Sequence, residues 1–202
     1  MTSDMALAFC LFAFVTSVTP GPNNIMLLAS GMNFGFRASV PHILGISSGF
    51  LVMVVAVGLG LAEIFAGYPQ TYTAMKWVGA GYLLYLAWTI ATSDAPATEG
   101  ATETKGKPMT FFGAAAFQWV NPKAWVMAVG AFSTYVPATA GLALIVGVAA
   151  LFAAINAPSV SVWAVFGSSL RRLLQMPRYR RLFNVGMAAL LVVSLVPLLQ
   201  AS

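Results

Sequence analysis

Long apolar runs separated by short polar stretches dominate the pattern along the chain. Six of these runs approach or exceed the roughly 20 residues that a helix needs to cross the apolar core of a bilayer. In chain order the runs cover residues 5–30, 42–65, 74–92, 110–135, 139–167 and 182–199. The pattern therefore predicts an all-α integral membrane protein with six transmembrane helices.

Composition supports a membrane protein. The 202 residues are 59% hydrophobic and 7% charged, whereas ordinary soluble domains carry roughly 25% charged residues. The first run lacks the basic start and the shorter apolar core of a cleaved signal peptide, so we expect it to be a retained span. Cys10 lies in this run, and a lone cysteine there is most simply a small apolar residue.

The basic residues predict how the spans are oriented. The net charge is +5, but these residues lie in short loops between apolar runs, which is typical of topology signals and not of a nucleic-acid surface. Loops one, three and five contain Arg37, Lys105, Lys107, Arg171, Arg172, Arg178, Arg180 and Arg181. Loops two and four contain none apart from Lys76, at the start of span three. The positive-inside rule places loops one, three and five in the cytoplasm and both termini opposite.

Two of the runs are interrupted near their middle. Thr-Pro-Gly-Pro-Asn-Asn at residues 19–24 interrupts the first run, and Asn-Pro-Lys at residues 121–123 interrupts the fourth. Lipid cannot replace the backbone hydrogen bonds that proline removes, so such breaks survive only inside protein or beside a water-filled cavity. Matching breaks in spans of opposite direction are typical of inverted repeats. We therefore predict one transmembrane domain of two inverted three-helix repeats, residues 1–92 and 109–202, joined by a polar cytoplasmic linker, residues 93–108.

The first break predicts a site for an amino acid. A helix that restarts at about Pro22 presents free N–H groups at its positive end, which suits a carboxylate. The half-helix that ends near Thr19 presents free carbonyls, which suit an ammonium group. A kink that merely shapes the helix is the alternative. The candidate substrate-binding residues here are Pro20, Gly21, Pro22, Asn23 and Asn24.

The second break adds a charge. Lys123 lies midway along span four, where a charge costs about 3 kcal/mol or more, so it must face the protein interior or a cavity. There it binds a substrate carboxylate, or gains and loses a proton during transport. A lysine that reaches the interface, or caps carbonyls freed by Pro122, is the alternative. Gln118, Asn121, Pro122 and Lys123 join the candidate site.

Three further polar residues lie in the spans. Asn156, beside Pro158 in span five, is a candidate for the same cavity, with a simple proline kink as the alternative. His42 and Glu63 lie near opposite ends of span two. We expect both to be interfacial anchors, with Glu63 paired to Lys76 and a proton relay through His42 as the alternative.

Other classes of function find little support in the residues. One histidine, one cysteine and few carboxylates do not make a metal site. The sequence contains neither a phosphate-binding glycine loop nor an evident nucleophile with its base. We therefore expect no catalysis and no cofactor, and transport driven by a gradient. A membrane scaffold subunit that moves no solute, and efflux of another small solute or a cation, are the alternatives.

The motifs resemble those of the LysE/RhtB family of bacterial amino-acid exporters. The resemblance covers nearly the whole chain and rests on residues 19–24, 35–37, 45–49, 77–88 and 121–123. The stretches around Gly35, 77–93 and 117–123 are most similar to the branch that exports cysteine and O-acetylserine. The resemblance implies efflux of small neutral amino acids or derivatives across the bacterial inner membrane. It also implies protons as the coupling ion, a possible homodimer and, with the loop charges, periplasmic termini.

Overall fold

The structure is a computed structural model and describes residues 3–61, 63, 67–92, 107–137, 139–171 and 177–196. Every regular element in these ranges is helical. The α-helices are α1 Ser3–Val18, α2 Pro22–Phe34, α3 Phe36–Ala56, α4 Pro69–Ala91, α5 Phe111–Phe117, α6 Pro122–Tyr135, α7 Leu142–Leu170 and α8 Pro177–Val193. A π-helical turn, Val57–Leu61, extends α3, and a 3-10 turn, Gln118–Val120, extends α5.

Both predicted breaks are present. The axes of α1 and α2 are bent by 53° across the break, and α2 restarts at Pro22. In the fourth run the chain becomes extended at Asn121, with φ −84° and ψ 109°, before α6 begins at Pro122. Proline is well suited to a first helical position because its missing N–H would have no partner there.

The apolar runs predict a connector over residues 31–41, between the first two spans, and this prediction is wrong. Helix α2 continues to Phe34, and α3 begins at Phe36, so Gly35 alone separates them. Gly35 has φ +86°, a conformation that glycine adopts readily and other residues avoid. Pro41 lies inside α3, where its missing N–H removes one backbone hydrogen bond without ending the helix.

The starts of two other spans were also predicted too late. Helix α4 begins at Pro69 and α8 at Pro177, so Arg178, Arg180 and Arg181 lie on the first turns of α8 and not in a loop. Within the described ranges, Phe36–Leu61 and Leu142–Leu170 are each long and apolar enough to cross a membrane, and the bent pair of α1 and α2 makes a third. The six-span arrangement as two inverted repeats therefore stays a prediction.

Helix α7 occupies the centre of the packing and contacts α1, α2 and α3. Its contact with α2 is close because glycines face carbonyl groups: a methyl group on Gly31 would overlap the Ala164 carbonyl, and one on Gly167 would overlap the Leu28 carbonyl. Helix α3 packs against α5 and α4 against α8. This packing holds α2, α5, α6 and α7 around the two breaks.

Candidate functional site

The two breaks meet through Lys123. Its Nζ donates hydrogen bonds to the Thr19 carbonyl at 2.6 Å, to Thr19 Oγ1 at 2.9 Å and to the Pro20 carbonyl at 3.3 Å. Lys123 therefore caps carbonyls of the first break and not those freed by Pro122. A cation at the carboxyl end of a helix also offsets the partial negative charge of that end.

Gly21 makes room for this contact. Its backbone is extended, with φ −176° and ψ 176°, which any residue adopts. Space is the constraint instead, because a Cβ on Gly21 would lie 2.6 Å from Cδ of Lys123. A larger residue at this position would therefore push the lysine away from the break.

The other carbonyls at the end of α1 have partners within the protein. Nδ2 of Asn24 donates to the carbonyls of Ser17 at 2.8 Å and Thr19 at 2.7 Å. The indole N–H of Trp163 donates to the Val18 carbonyl at 3.1 Å. The expectation of free carbonyls for a substrate ammonium is therefore wrong, because buried carbonyls without a donor are costly and the fold supplies donors.

A second bridge joins α2 to the 3-10 turn. Nδ2 of Asn23 donates to Oε1 of Gln118 at 2.8 Å, and Nε2 of Gln118 donates back to Oδ1 of Asn23 at 3.2 Å. The same Nε2 donates to the Ala114 carbonyl at 2.8 Å. Gln118 is fully buried, so this pair of amides fixes the distance between the two broken spans.

The two restarted helices differ at their N-termini. Asn121 caps α6, because its Oδ1 accepts a hydrogen bond from the Lys123 backbone N–H at 3.1 Å. Gly21 precedes α2 and supplies no side-chain acceptor. The N–H end of α2 thus remains the better place for an anionic group.

A small cavity lies between these groups. Of the predicted site residues, Gly21, Asn23, Asn24, Gln118, Asn121, Lys123 and Asn156 line it, whereas Pro20, Pro22 and Pro122 do not. The volume between the lining atoms is about 310 Å³, but the free space inside suits little more than a water-sized molecule. An amino acid therefore requires the lining side chains to move apart.

Asn156 reaches this cavity from α7. Its Nδ2 donates to Oγ of Ser17 at 3.1 Å. Its Oδ1 is buried and has no hydrogen-bond partner within the described ranges. Helix α7 continues through Pro158, so Asn156 presents an acceptor from a continuous helix.

Several lining residues were not predicted. Ser17 and Thr16 line the cavity one turn before the first break, and their polarity beside that break was the available signal. Trp163, which bonds the Val18 carbonyl but does not line the cavity, lies seven residues after Asn156, a spacing that places both on one face of a helix. Phe50 and Met127 also line the cavity, and only the fold distinguishes them from other apolar residues.

His42 is not the interfacial anchor that we expected. It is 1% exposed, and neither ring nitrogen has a hydrogen-bond partner among the residues that the structure describes.

Glu63 is exposed. The proposed partner side chain of Glu63, Lys76, lies outside the described residues, as do Arg172 and residues 93–106 of the linker. In the described part of the chain, no three His, Cys, Asp or Glu residues are grouped as a metal site requires.

Known proteins resemble this chain over nearly its whole length. The profile of the LysE type translocator family matches residues 14–200. The cysteine/O-acetylserine efflux protein of Escherichia coli O1:K1 is 39% identical over 194 residues, which cover 95% of this chain and 96% of that protein. The proteins of the same name from Escherichia coli K12 and Shigella sonnei are 38% identical with the same coverage. No solved structure matches the chain. This protein therefore belongs to the LysE type translocator family, a family of membrane transport proteins and not of enzymes.

Proposed function

We propose that this protein exports a small neutral amino acid or derivative across the bacterial inner membrane, with cysteine and O-acetylserine as the first candidates. The meeting of two helix breaks at a polar cavity beside Lys123 is the observation that carries the proposal. Backbone dipoles and one ammonium group face a single space there, which suits a zwitterion. The names of the relatives support the choice of candidates.

The two ends of the solute have different partners in this proposal. The carboxylate binds between the ammonium of Lys123 and the N-terminus of α2, where Gly21 leaves the helix without a side-chain cap. The ammonium of the solute donates to Oδ1 of Asn156, the buried acceptor that lacks a partner within the described residues. Gln118 and Asn121 complete the polar wall.

Binding and movement are coupled through Lys123. Its ammonium holds the carbonyls of Thr19 and Pro20, and an incoming carboxylate competes for the same ammonium. The competition loosens the bond between the two breaks and allows the halves of the single transmembrane domain, residues 1–92 and 109–202, to rock around the site. Protons flowing inward drive export, loops one, three and five face the cytoplasm, and the protein functions as a homodimer.

Counterflow in proteoliposomes tests the function and the role of Lys123. The purified protein is expected to exchange radiolabelled amino acids from a panel that includes cysteine and O-acetylserine. Lys123→Met keeps a similar length but removes the charge, and is expected to lower the rate about 10- to 100-fold, the effect of losing a hydrogen bond to a charged group. Lys123→Arg is expected to retain more activity than Lys123→Met.

Arg178→Gln is the matched control, since it removes an exposed charge on α8 away from the cavity, and its rate is expected to stay unchanged. A parent protein that moves no amino acid contradicts export and leaves the scaffold subunit as the explanation. Full activity of Lys123→Met contradicts the role assigned to the lysine alone.

A further inference from the structure

A second, larger cavity lies on the loop-one side of the candidate site. Helices α2, α3, α4 and the start of α5 surround it, and the space between their atoms, part of which is open to the outside, is about 920 Å³. Unlike the first cavity, it has free space for a molecule of amino-acid size. Ser30 and Asn33 of α2, His42 of α3 and Thr110 before α5 give it polar walls.

Two buried side chains in this cavity have unused hydrogen-bonding atoms. Neither ring nitrogen of His42, nor Oδ1 of Asn33, has a partner among the described residues. His42 is 1% exposed and Asn33 is 6% exposed. Buried polar groups in folded proteins are nearly always hydrogen-bonded, and each one left without a partner costs about 1–3 kcal/mol. Both residues line the cavity, so a polar molecule there would supply the missing partners if the two side chains turned toward it.

The two cavities lie along the same pair of broken spans. Asn23 of the first cavity and Asn33 of the second are ten residues apart on α2, about 15 Å, or half of the apolar core of a bilayer. On α5, Gly113 lines the second cavity, and the 3-10 turn that follows places Gln118 in the first. The hydrogen-bonded Asn23–Gln118 pair therefore joins the two elements that both cavities share, at the level of the first cavity.

We propose that the second cavity is a further binding site for the transported amino acid, on the cytoplasmic side of the Asn23–Gln118 pair. His42 and Asn33 hydrogen-bond the polar groups of the solute there. Lys107 is exposed at the edge of the cavity and attracts its carboxylate. The inference rests on the proposed function, because the solute is the one exported. It adds a holding site that fills before the central site opens.

Thiol labelling tests whether this cavity is accessible to water and whether it binds the transported amino acid. Cys10 is the single cysteine, so Cys10→Ala gives a cysteine-free background. In it, Ser30→Cys places a thiol in the cavity, and Leu44→Cys is the matched control, because Leu44 lies two residues from His42 but is 54% exposed on the outer face of α3. A charged, membrane-impermeant methanethiosulfonate, applied to inside-out vesicles, is expected to label Ser30→Cys and not Leu44→Cys.

Protection by O-acetylserine then distinguishes a binding site from a wet passage. At ten times its half-saturating concentration, O-acetylserine is expected to slow labelling of Ser30→Cys about tenfold, as mass action requires for a filled site. The protection is expected to persist with Lys123→Met, which disables the central site but not this one. Absence of labelling, or labelling without protection, overturns the proposal.

His42 variants give a second readout in counterflow. His42→Leu is expected to raise the half-saturating concentration on the cytoplasmic side about tenfold, the effect of one lost hydrogen bond. His42→Gln keeps a donor and an acceptor and is expected to stay within about threefold of the parent. Equal values for His42→Leu and the parent overturn the second site. A parent that exchanges no amino acid instead overturns the proposed function itself, so the two failures are distinguishable.

Discussion

A lysine in the middle of an apolar span is explained here by the partner that it meets. The ammonium of Lys123 lies on the carbonyls of Thr19 and Pro20, which lie within the break and outside the helical hydrogen-bond pattern. Each group offsets the cost of the other, because a charge and carbonyls outside a helix are both unfavourable alone within an apolar span. The same lysine remains the strongest group at the cavity for an incoming carboxylate.

Asn24 carries a prediction about stability. Its Nδ2 donates to the buried Ser17 carbonyl and to the Thr19 carbonyl, which also accepts from Lys123. Asn24→Asp replaces this donor with an oxygen of the same size. We expect the free energy of unfolding to fall by about 1–3 kcal/mol, the cost of leaving the buried Ser17 carbonyl without this donor. Thermal unfolding of the purified protein in detergent measures the loss.

Ser169→Ala is the control for Asn24→Asp. The Ser169 hydroxyl is exposed and donates only to the nearby Phe166 carbonyl, so its loss is expected to change the free energy of unfolding by less than about 0.5 kcal/mol. Equal unfolding temperatures for Asn24→Asp and the parent would show that the cap at the end of α1 contributes nothing.

The sequence was informative about the residues of the site and less so about their partners. Prolines and a charge within apolar runs are strong signals, and they identified Asn23, Asn24 and Lys123. The pairing of Lys123 with Thr19, and of Asn23 with Gln118, joins residues about a hundred positions apart, which no local pattern reveals. Burial of His42 was missed because its place near a span end fits an interfacial residue equally well.

At the scale of helices, Gly167 is the test of close packing between α2 and α7. A methyl group there overlaps the Leu28 carbonyl of the facing backbone, so Gly167→Ala is expected to lower the free energy of unfolding by about 1–3 kcal/mol. Gly147→Ala on the same helix meets nothing within 4 Å and is expected to be neutral or stabilising, since alanine favours helix. Unfolding temperatures in detergent compare the two variants, and an equal response of both excludes specific packing.

The Asn23–Gln118 pair links two elements, and a double-mutant cycle measures that link. Because each amide bonds the other, Asn23→Ala and Gln118→Ala are expected to be non-additive, with a coupling energy of about 1 kcal/mol in the free energy of unfolding. Asn23→Ala combined with Ser169→Ala provides the additive control. Additivity in both cycles would mean that the bridge does not couple α2 to the 3-10 turn.

The breaks within the apolar runs were predictable from the sequence, whereas the residues at which successive helices begin and end were not. Lipid cannot replace the backbone hydrogen bonds that proline removes from an apolar helix. Both helix breaks therefore fall where the prolines predicted them. Gly35 alone separates α2 from α3, and Arg37 and Pro41 nearby made the segment resemble a loop although α3 runs through them. The early starts of α4 and α8 were missed because their first turns are polar.

For the whole molecule, the loop charges predict a testable orientation. Alkaline phosphatase fused after Ser202 is expected to be active, and green fluorescent protein at the same site dark, because the positive-inside rule places the C-terminus in the periplasm. Fusions within the linker, residues 93–108, are expected to give the reverse pattern and serve as the internal control. Fluorescence at the C-terminus would invert the topology and place the basic start of α8 outside.

The number of spans is less visible in the structure than in the sequence. In the described part of the chain, two helices, or three with the bent pair, meet the requirements of length and apolarity. The fourth run is divided at Asn121 into shorter helices, and α8 opens with Pro-Arg-Tyr-Arg-Arg, which dilutes its apolar character. Six membrane crossings therefore remain a prediction, which the alkaline phosphatase and green fluorescent protein fusions test.

The bond from Lys123 to Thr19 spans 104 positions of the chain, which has a consequence for synthesis. At a ribosomal speed of about 5–20 residues per second, the lysine is made roughly 5–20 s after the carbonyls that it caps. During that interval the Thr19 carbonyl has Nδ2 of Asn24 as a donor, and the Pro20 carbonyl still lacks the lysine. The contact between the two breaks therefore forms late in synthesis, when the second half of the chain packs against the first.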